Sequence, residues 1–163
     1  MNKIIYTDGA CSGNPGAGGY GVCMLENNIV KHYHSEKCDE TTNNREEIKA
    51  MLYALKLADS DKENNYIIYS DSAYVVNMCN TWIKTWAANG WVRPKNQPIK
   101  NLDLVKELYN YINKNFLNCQ IKKVDGHSNI LGNEIADALA TNNHTKLNKL
   151  TKENDLQWLN IDN

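Results

Sequence analysis

The chain has no apolar stretch approaching the ~20 residues needed to cross a bilayer, which excludes a helical membrane protein. Its opening, Met1-Asn2-Lys3 and a short strand-like run ending in Asp8, lacks the long apolar centre of a secretory signal, so the expected compartment is the cytoplasm. No C-x-x-C pair occurs. The five cysteines (Cys11, Cys23, Cys38, Cys79 and Cys119) are odd in number and scattered, which excludes a disulfide framework and a thiolate zinc site. They read as small buried side chains in a reducing compartment. Linkers, low-complexity blocks and internal repeats are also missing. The 163 residues are therefore expected to form one monomeric domain, with a core over about 3–141 and a C-terminal tail of 142–163 that shows little pattern beyond Leu156, Trp158 and Leu159.

What is present is the balance of an ordinary globular protein, 42% hydrophobic and 23% charged. The net charge of −1 argues against a polyanion partner only on average. Of the 18 basic and 19 acidic residues, Lys84, Arg93, Lys95 and Lys100 fall between Asn80 and Asn101 with no acid among them, leaving −5 on the rest of the chain. One positive segment on an acidic body implies a localised contact with a polyanion.

Hydrophobic periodicity predicts strands at Lys3–Thr7, Tyr20–Glu26 and Ile29–Glu36, with a glycine-rich turn over Gly9–Gly21 and a hairpin turn at Asn27-Asn28. Ile48, Met51, Leu52 and Leu55 mark an amphipathic helix over Asn43–Ala58, with Asn43 and Glu46 in a capping arrangement. A strand at Tyr66–Tyr69 precedes helices at Ala73–Cys79, Thr81–Ala88 and Leu102–Asn115. Gln120–Val124 is a further strand and Leu131–Thr141 a final helix. This order predicts an α/β fold, a mixed five-stranded sheet flanked by helices.

Asp8 and Asp71 each follow a buried strand, where functional residues of an α/β sheet gather. Glu47 lies beside the apolar stripe of its helix, so its carboxylate is directed toward the sheet edge, whereas Glu46 reads as the capping acid. Asp137 shares a face with Asn133 opposite Leu131, Ile135 and Leu139, and periodicity alone assigns it to solvent. Carboxylates that converge without bases need cations, and hard oxygen ligands select Mg²⁺ or Mn²⁺.

The local motifs around these acids sharpen the reading. Thr7-Asp8-Gly9-Ala10-Cys11-Ser12-Gly13-Asn14-Pro15-Gly16-Ala17-Gly18-Gly19 resembles the opening motif of cellular type 1 ribonucleases H. Thr41-Thr42-Asn43-Asn44-Arg45-Glu46-Glu47 resembles their second motif and Tyr69-Ser70-Asp71-Ser72 their third. Gly126-His127, with Asn133-Glu134-Ile135-Ala136-Asp137, is similar to the fourth. The four occur in family order over roughly Lys3 to Thr141, and a chance match of all four is hard to obtain. The resemblance implies an endonuclease that cleaves the RNA strand of an RNA–DNA hybrid duplex with two Mg²⁺ ions, Mn²⁺ being a substitute. It implies Asp8, Glu47, Asp71 and Asp137 as metal ligands, with Asp8 shared by both ions, and His127 as an aid to proton transfer or product release.

The same resemblance assigns Asn14, Asn43 and Asn44 to the minor groove of the hybrid, and Thr42 and Asn101 to a DNA-strand phosphate. It makes the stretch from Trp82 to Asn101, with Trp82, Lys84, Trp86, Arg93, Lys95 and Lys100, a basic handle along the DNA strand. Two departures stand out. Ala73 replaces a common glutamine, and Asp125 stands where a basic residue is common. The competing readings are an integrase- or transposase-like nuclease of the same fold and a non-catalytic hybrid-binding module. The first generally lacks the Thr-Thr-Asn-Asn-Arg motif, and the second is disfavoured by the presence of all four acids.

Overall fold

The computed structural model describes residues 2–114, 117–126 and 129–154. Its sheet has five strands, lying side by side in the order 29–41, 16–26, 2–11, 65–70 and 119–123. β1 (Asn2–Cys11), β2 (Gly16–Glu26) and β3 (Ile29–Thr41) form an antiparallel meander, while β4 (Asn65–Ser70) and β5 (Cys119–Lys123) extend the sheet in parallel from β1. Helices α1 (Asn43–Asp59) and α4 (Leu102–Ile112) cover one face. There Ile48, Met51, Leu55, Val105 and Leu108 bury against Ile5, Val22 and Ile68. Helices α5 (Leu131–Ala140) and α6 (His144–Glu153) cover the other, where Ile135, Leu139 and Leu147 meet Cys23, Leu25 and Val30. Because both faces are covered, neighbouring residues of β2 such as Val22 and Cys23 are both fully buried, and the strand reads as a continuous apolar run rather than an alternation.

The expected five-stranded α/β architecture is therefore present, with several differences, the first being that β2 starts at Gly16 rather than Tyr20, so the turn expected over Gly9–Gly21 shrinks to Ser12–Pro15. β1 does not stop at Thr7 but runs through Asp8 to Cys11, because β2 goes on pairing with it as far as Cys11↔Gly18. β3 likewise continues to Thr41 along β2. The two helices expected at 73–79 and 81–88 are one continuous helical rod. α2 (Ala73–Asn77) passes through a wide π turn at Met78–Trp82 into α3 (Ile83–Ala88), with Val75, Val76, Met78, Cys79 and Ile83 all buried. Finally, the tail contains α6, capped by the Asn143 side chain, which accepts a hydrogen bond from Lys146 N–H at 3.0 Å. Leu156, Trp158 and Leu159 lie outside the described residues.

Two of the close approaches that require glycine seat helices on β1. A Cβ on Gly132 would lie 2.1 Å from the Tyr6 ring, so its absence lets the start of α5 lie flat on β1. A Cβ on Gly9 would lie 2.3 Å from Glu47 N and 2.5 Å from the Glu46 carbonyl carbon, so its absence lets the first turns of α1 rest on β1. Gly9→Ala would ordinarily gain roughly 0.5–1 kcal/mol in a strand interior. Here we expect it to cost more than about 2 kcal/mol in urea denaturation, because two backbones must separate. An unchanged unfolding midpoint would show that α1 is free to shift.

Candidate active site

The site forms where two neighbouring strands part. Parallel pairing of β1 with β4 ends at Thr7↔Ser70, whereas antiparallel pairing with β2 continues through Asp8↔Gly21. Asp8 is thus held in the sheet on one side while the chain leaves it on the other. Asp71 is the first residue past β4. Ser72 N–H donates to Ser70 Oγ at 3.0 Å, and Ser72 Oγ caps α2 by accepting from Val75 N–H at 3.2 Å, which turns the chain away sharply. Glu47 arrives from α1 across Gly9, whose N–H donates to both Glu47 Oε1 and Asp8 Oδ1. The ligand atoms of Asp8, Glu47 and Asp71 lie within 4.8 Å of one another. Asp8 and Glu47 are only 6% and 7% exposed.

Three acids this close resist ionisation. Burial, and then the charge of Asp71, pushes Asp8 up to about 8 despite a hydrogen bond with Glu47 that acts the other way. Burial, Asp8 and Asp71 raise Glu47 well above the ordinary carboxylate range. Asp71 is raised by burial and by Asp137, and Lys123 partly offsets this. An all-oxygen donor set with this surplus of negative charge fits hard divalent cations such as Mg²⁺ or Mn²⁺ and does not suit zinc.

Asp137 is the fourth acid, standing close enough to shift both Asp8 and Asp71. Its helical face is not the solvated one that periodicity indicates. α5 sits between the sheet and α6, Asn133 is 2% exposed, and Asp137 is 25% exposed and paired with Lys146 Nζ at 2.7 Å. His127 lies outside the described residues, although Gly126 just before it packs against Asp71. Glu46 is not the cap of α1. That role belongs to Thr42, which accepts from Arg45 N–H at 3.2 Å. Glu46 is instead buried, accepting from Thr41 Oγ1 at 2.7 Å and pairing with Lys49 at 2.8 Å.

The structure also brings several of the other predicted residues together. Asn43 N–H donates to Asn14 Oδ1 at 3.0 Å. Asn101, in the left-handed conformation at the start of α4, accepts from Arg45 Nη1 at 3.2 Å. Asn44, Trp82, Trp86, Arg93 and Lys100 line one groove of ≈ 460 Å³ together with Tyr74, which sequence reasoning passed over. Trp82 and Trp86 also pack on each other at 5.9 Å and on the core, so they are part scaffold and part surface. Lys84 and Lys95 are exposed but do not line this groove. Lys146 and Lys123 were missed as well. Neither has a motif, and only the Asn143 cap with Leu147 and Leu150 hinted at the helix that carries Lys146.

Comparison with known proteins shows the family. The RNase H family profile matches residues 1–145. A ribonuclease H of Rickettsia massiliae is 44% identical over 137 residues, covering 84% of this chain and 87% of its own. One of Orientia tsutsugamushi is 42% identical over 151 residues, covering 93% and 87%. Among solved structures, LC11-RNase H1 in complex with RNA/DNA hybrid superposes with a TM-score of 0.62 at 25% identity, over 85% of this chain and 93% of that one. With the profile spanning nearly the whole chain and the four acidic motifs in order, the chain belongs to the ribonuclease H family.

Proposed function

We infer that this protein is a ribonuclease H, an endonuclease that hydrolyses the RNA strand of RNA–DNA hybrids and leaves 5′-phosphate and 3′-hydroxyl ends. The observation that carries the reading is the convergence of buried Asp8 and Glu47 with half-buried Asp71, all three resistant to ionisation, with Asp137 beside them. These residues would hold two divalent cations, Mg²⁺ or in its place Mn²⁺. Asp8 would be shared, Glu47 and Asp71 would serve one ion, and Asp137 would serve the other. When bound, such a pair supplies Lewis acidity to the attacked phosphate and to the departing oxygen. His127, named on sequence alone, would move a proton or help the product depart.

Substrate choice is assigned to the neighbouring polar surface. The amides of Asn14, Asn43 and Asn44 both donate and accept, which suits ribose 2′-hydroxyls in a shallow minor groove. Thr42 uses its oxygen as a cap acceptor, so its hydroxyl hydrogen can reach a DNA phosphate together with Asn101. The groove with Trp82, Trp86, Arg93 and Lys100 would take the DNA strand, with Arg93 and Lys100 on phosphates and ring edges on sugars. Lys84 and Lys95 would add longer-range attraction. All five cysteines are free, in keeping with a reducing cytoplasm. Among the described residues no helix is long and apolar enough to cross a membrane. Among the described residues the exposed large apolar side chains, Ile29, Leu117 and Ile130, are scattered over the start of β3, the loop before β5 and the cap of α5, which supports a monomer.

Labelled hybrid, single-stranded RNA and double-stranded DNA, each with Mg²⁺ and with EDTA, test the assignment. Only hybrid with Mg²⁺ should be cut, and Asp8→Asn should lower that cleavage by several orders of magnitude while melting stays cooperative. Cleavage by Asp8→Asn at a near-normal rate defeats the two-cation reading.

Melting in EDTA examines the acids without substrate. The folded protein holds a proton on Asp8 up to about pH 8, against an ordinary value of 3.8. This contribution is therefore complete below about pH 4 and fades as pH rises toward 8. The melting temperature in EDTA should fall between pH 5 and pH 8, and Asp8→Asn or saturating Mg²⁺ should remove most of that fall. A rising melting temperature in EDTA that Asp8→Asn leaves unaltered would mean the acids do not repel one another.

The handle is tested by salt. Log affinity falls by about 0.9 per neutralised phosphate for each decade of salt. Replacing Lys84, Arg93, Lys95 and Lys100 by alanine should raise KM and flatten the salt dependence while sparing kcat. Arg93→Ala/Lys100→Ala alone should give most of the change, since those two line the groove. An unaltered salt slope would dismiss the segment as the electrostatic contact.

A further inference from the structure

We infer that Lys146 is a positioning residue that competes with divalent cations for the Asp137 carboxylate and so sets the cation concentration at which the site fills. The inference deepens, and rests on, the reading of Asp137 as a metal ligand.

Lys146 belongs to α6, outside the stretch that carries the four family motifs, yet its ammonium lies 2.5 Å from Glu134 Oε2 and 2.7 Å from Asp137 Oδ2. The side chains of Lys146, Glu134 and Asp137 are 25%, 15% and 25% exposed, so this is not an ordinary surface pair. Lys149, one turn on, provides the contrast: it is 73% exposed and reaches Glu153 only at 4.0 Å, a contact of little worth.

Lys146 is also held in place. Its own N–H is bound by the Asn143 cap at 3.0 Å, and its neighbour Leu147, 1% exposed, is locked among Ile135, Ala138 and Leu139. The base of the side chain is therefore fixed, and its ammonium rests between the two carboxylates. Asp137 in turn feels and shifts Asp8 and Asp71. Asp137 and Glu134 keep Lys146 charged against the opposing effect of burial. A fixed positive charge on one acid of an acidic cluster lowers the field that attracts a second cation. For that cation to engage Asp137 fully, Lys146 must fall back on Glu134. The structure provides this second acid on the same ammonium, one helical turn before Asp137.

The test is Mn²⁺ binding to the whole chain by calorimetry, without nucleic acid, for wild type, Lys146→Met, Lys146→Gln, Lys146→Arg, Asp137→Asn, Asp8→Asn and the double variant Asp137→Asn/Lys146→Met. Lys146→Met and Lys146→Gln should each tighten Mn²⁺ binding roughly three- to tenfold, the effect of losing a partly buried competitor. Lys146→Arg should stay near wild type. In the Asp137→Asn background Lys146→Met should change nothing further, because the lysine acts through that acid. The free Mg²⁺ for half-maximal hybrid cleavage should fall in parallel. A role confined to docking α6 would lower the melting temperature in every Lys146 variant and leave Mn²⁺ affinity where it was. That outcome, or weaker binding, overturns the inference while the metal reading stands, provided Asp8→Asn abolishes binding. If Asp8→Asn and Asp137→Asn both bind Mn²⁺ as wild type does, the metal reading itself fails. Lys146→Gln keeps the question open to measurement should Lys146→Met not fold.

Discussion

Negative charges forced together at a strand divergence govern this molecule. Pairing between β1 and β4 ends one residue before Asp8 and Asp71, and the fold spends much of its local design on holding those acids where they repel. The serines that turn the chain after β4, the bare Cα of Gly9 beneath α1 and the Gly9 N–H shared by two carboxylates all serve this one crowding. Repulsion maintained by a rigid scaffold is stored affinity for cations, because the ion relieves what the fold cannot.

Adjacent Glu46 and Glu47 show how finely the scaffold separates structure from chemistry. Both are nearly inaccessible. Glu46 is satisfied by Thr41 and Lys49 and so has no need of a ligand, whereas Glu47 faces two other acids and a single backbone N–H. The difference is one of rotation about the helix axis, about 100° per residue.

The architecture and most of the acidic site were legible in the sequence. Strands with dense β-branched and aromatic residues, and the helix carrying Ile48, Met51 and Leu55, announce themselves by period. What escaped depends on partners distant in sequence. The run of β1 past Asp8 is imposed by β2, and the single rod over 73–88 by the core on which it lies. The burial of Asn133 follows from α6 and the sheet enclosing α5, which no local pattern reveals. Asp137 needed the family motif, since its own helix placed it with solvent. Lys146 had no signal, because its significance lies in a contact between two helices.

The four acids come from β1, α1, the end of β4 and α5, the last of which packs on β1 and β2. A chain emerging from the ribosome therefore presents Asp8, Glu47 and Asp71 long before Asp137. Local hairpin contacts can form early, but the last carboxylate arrives only when a distant segment closes its loop onto the sheet. Docking of α5 is thus the step that brings the fourth carboxylate to the other three, and the site is complete only once the chain has folded almost to its end.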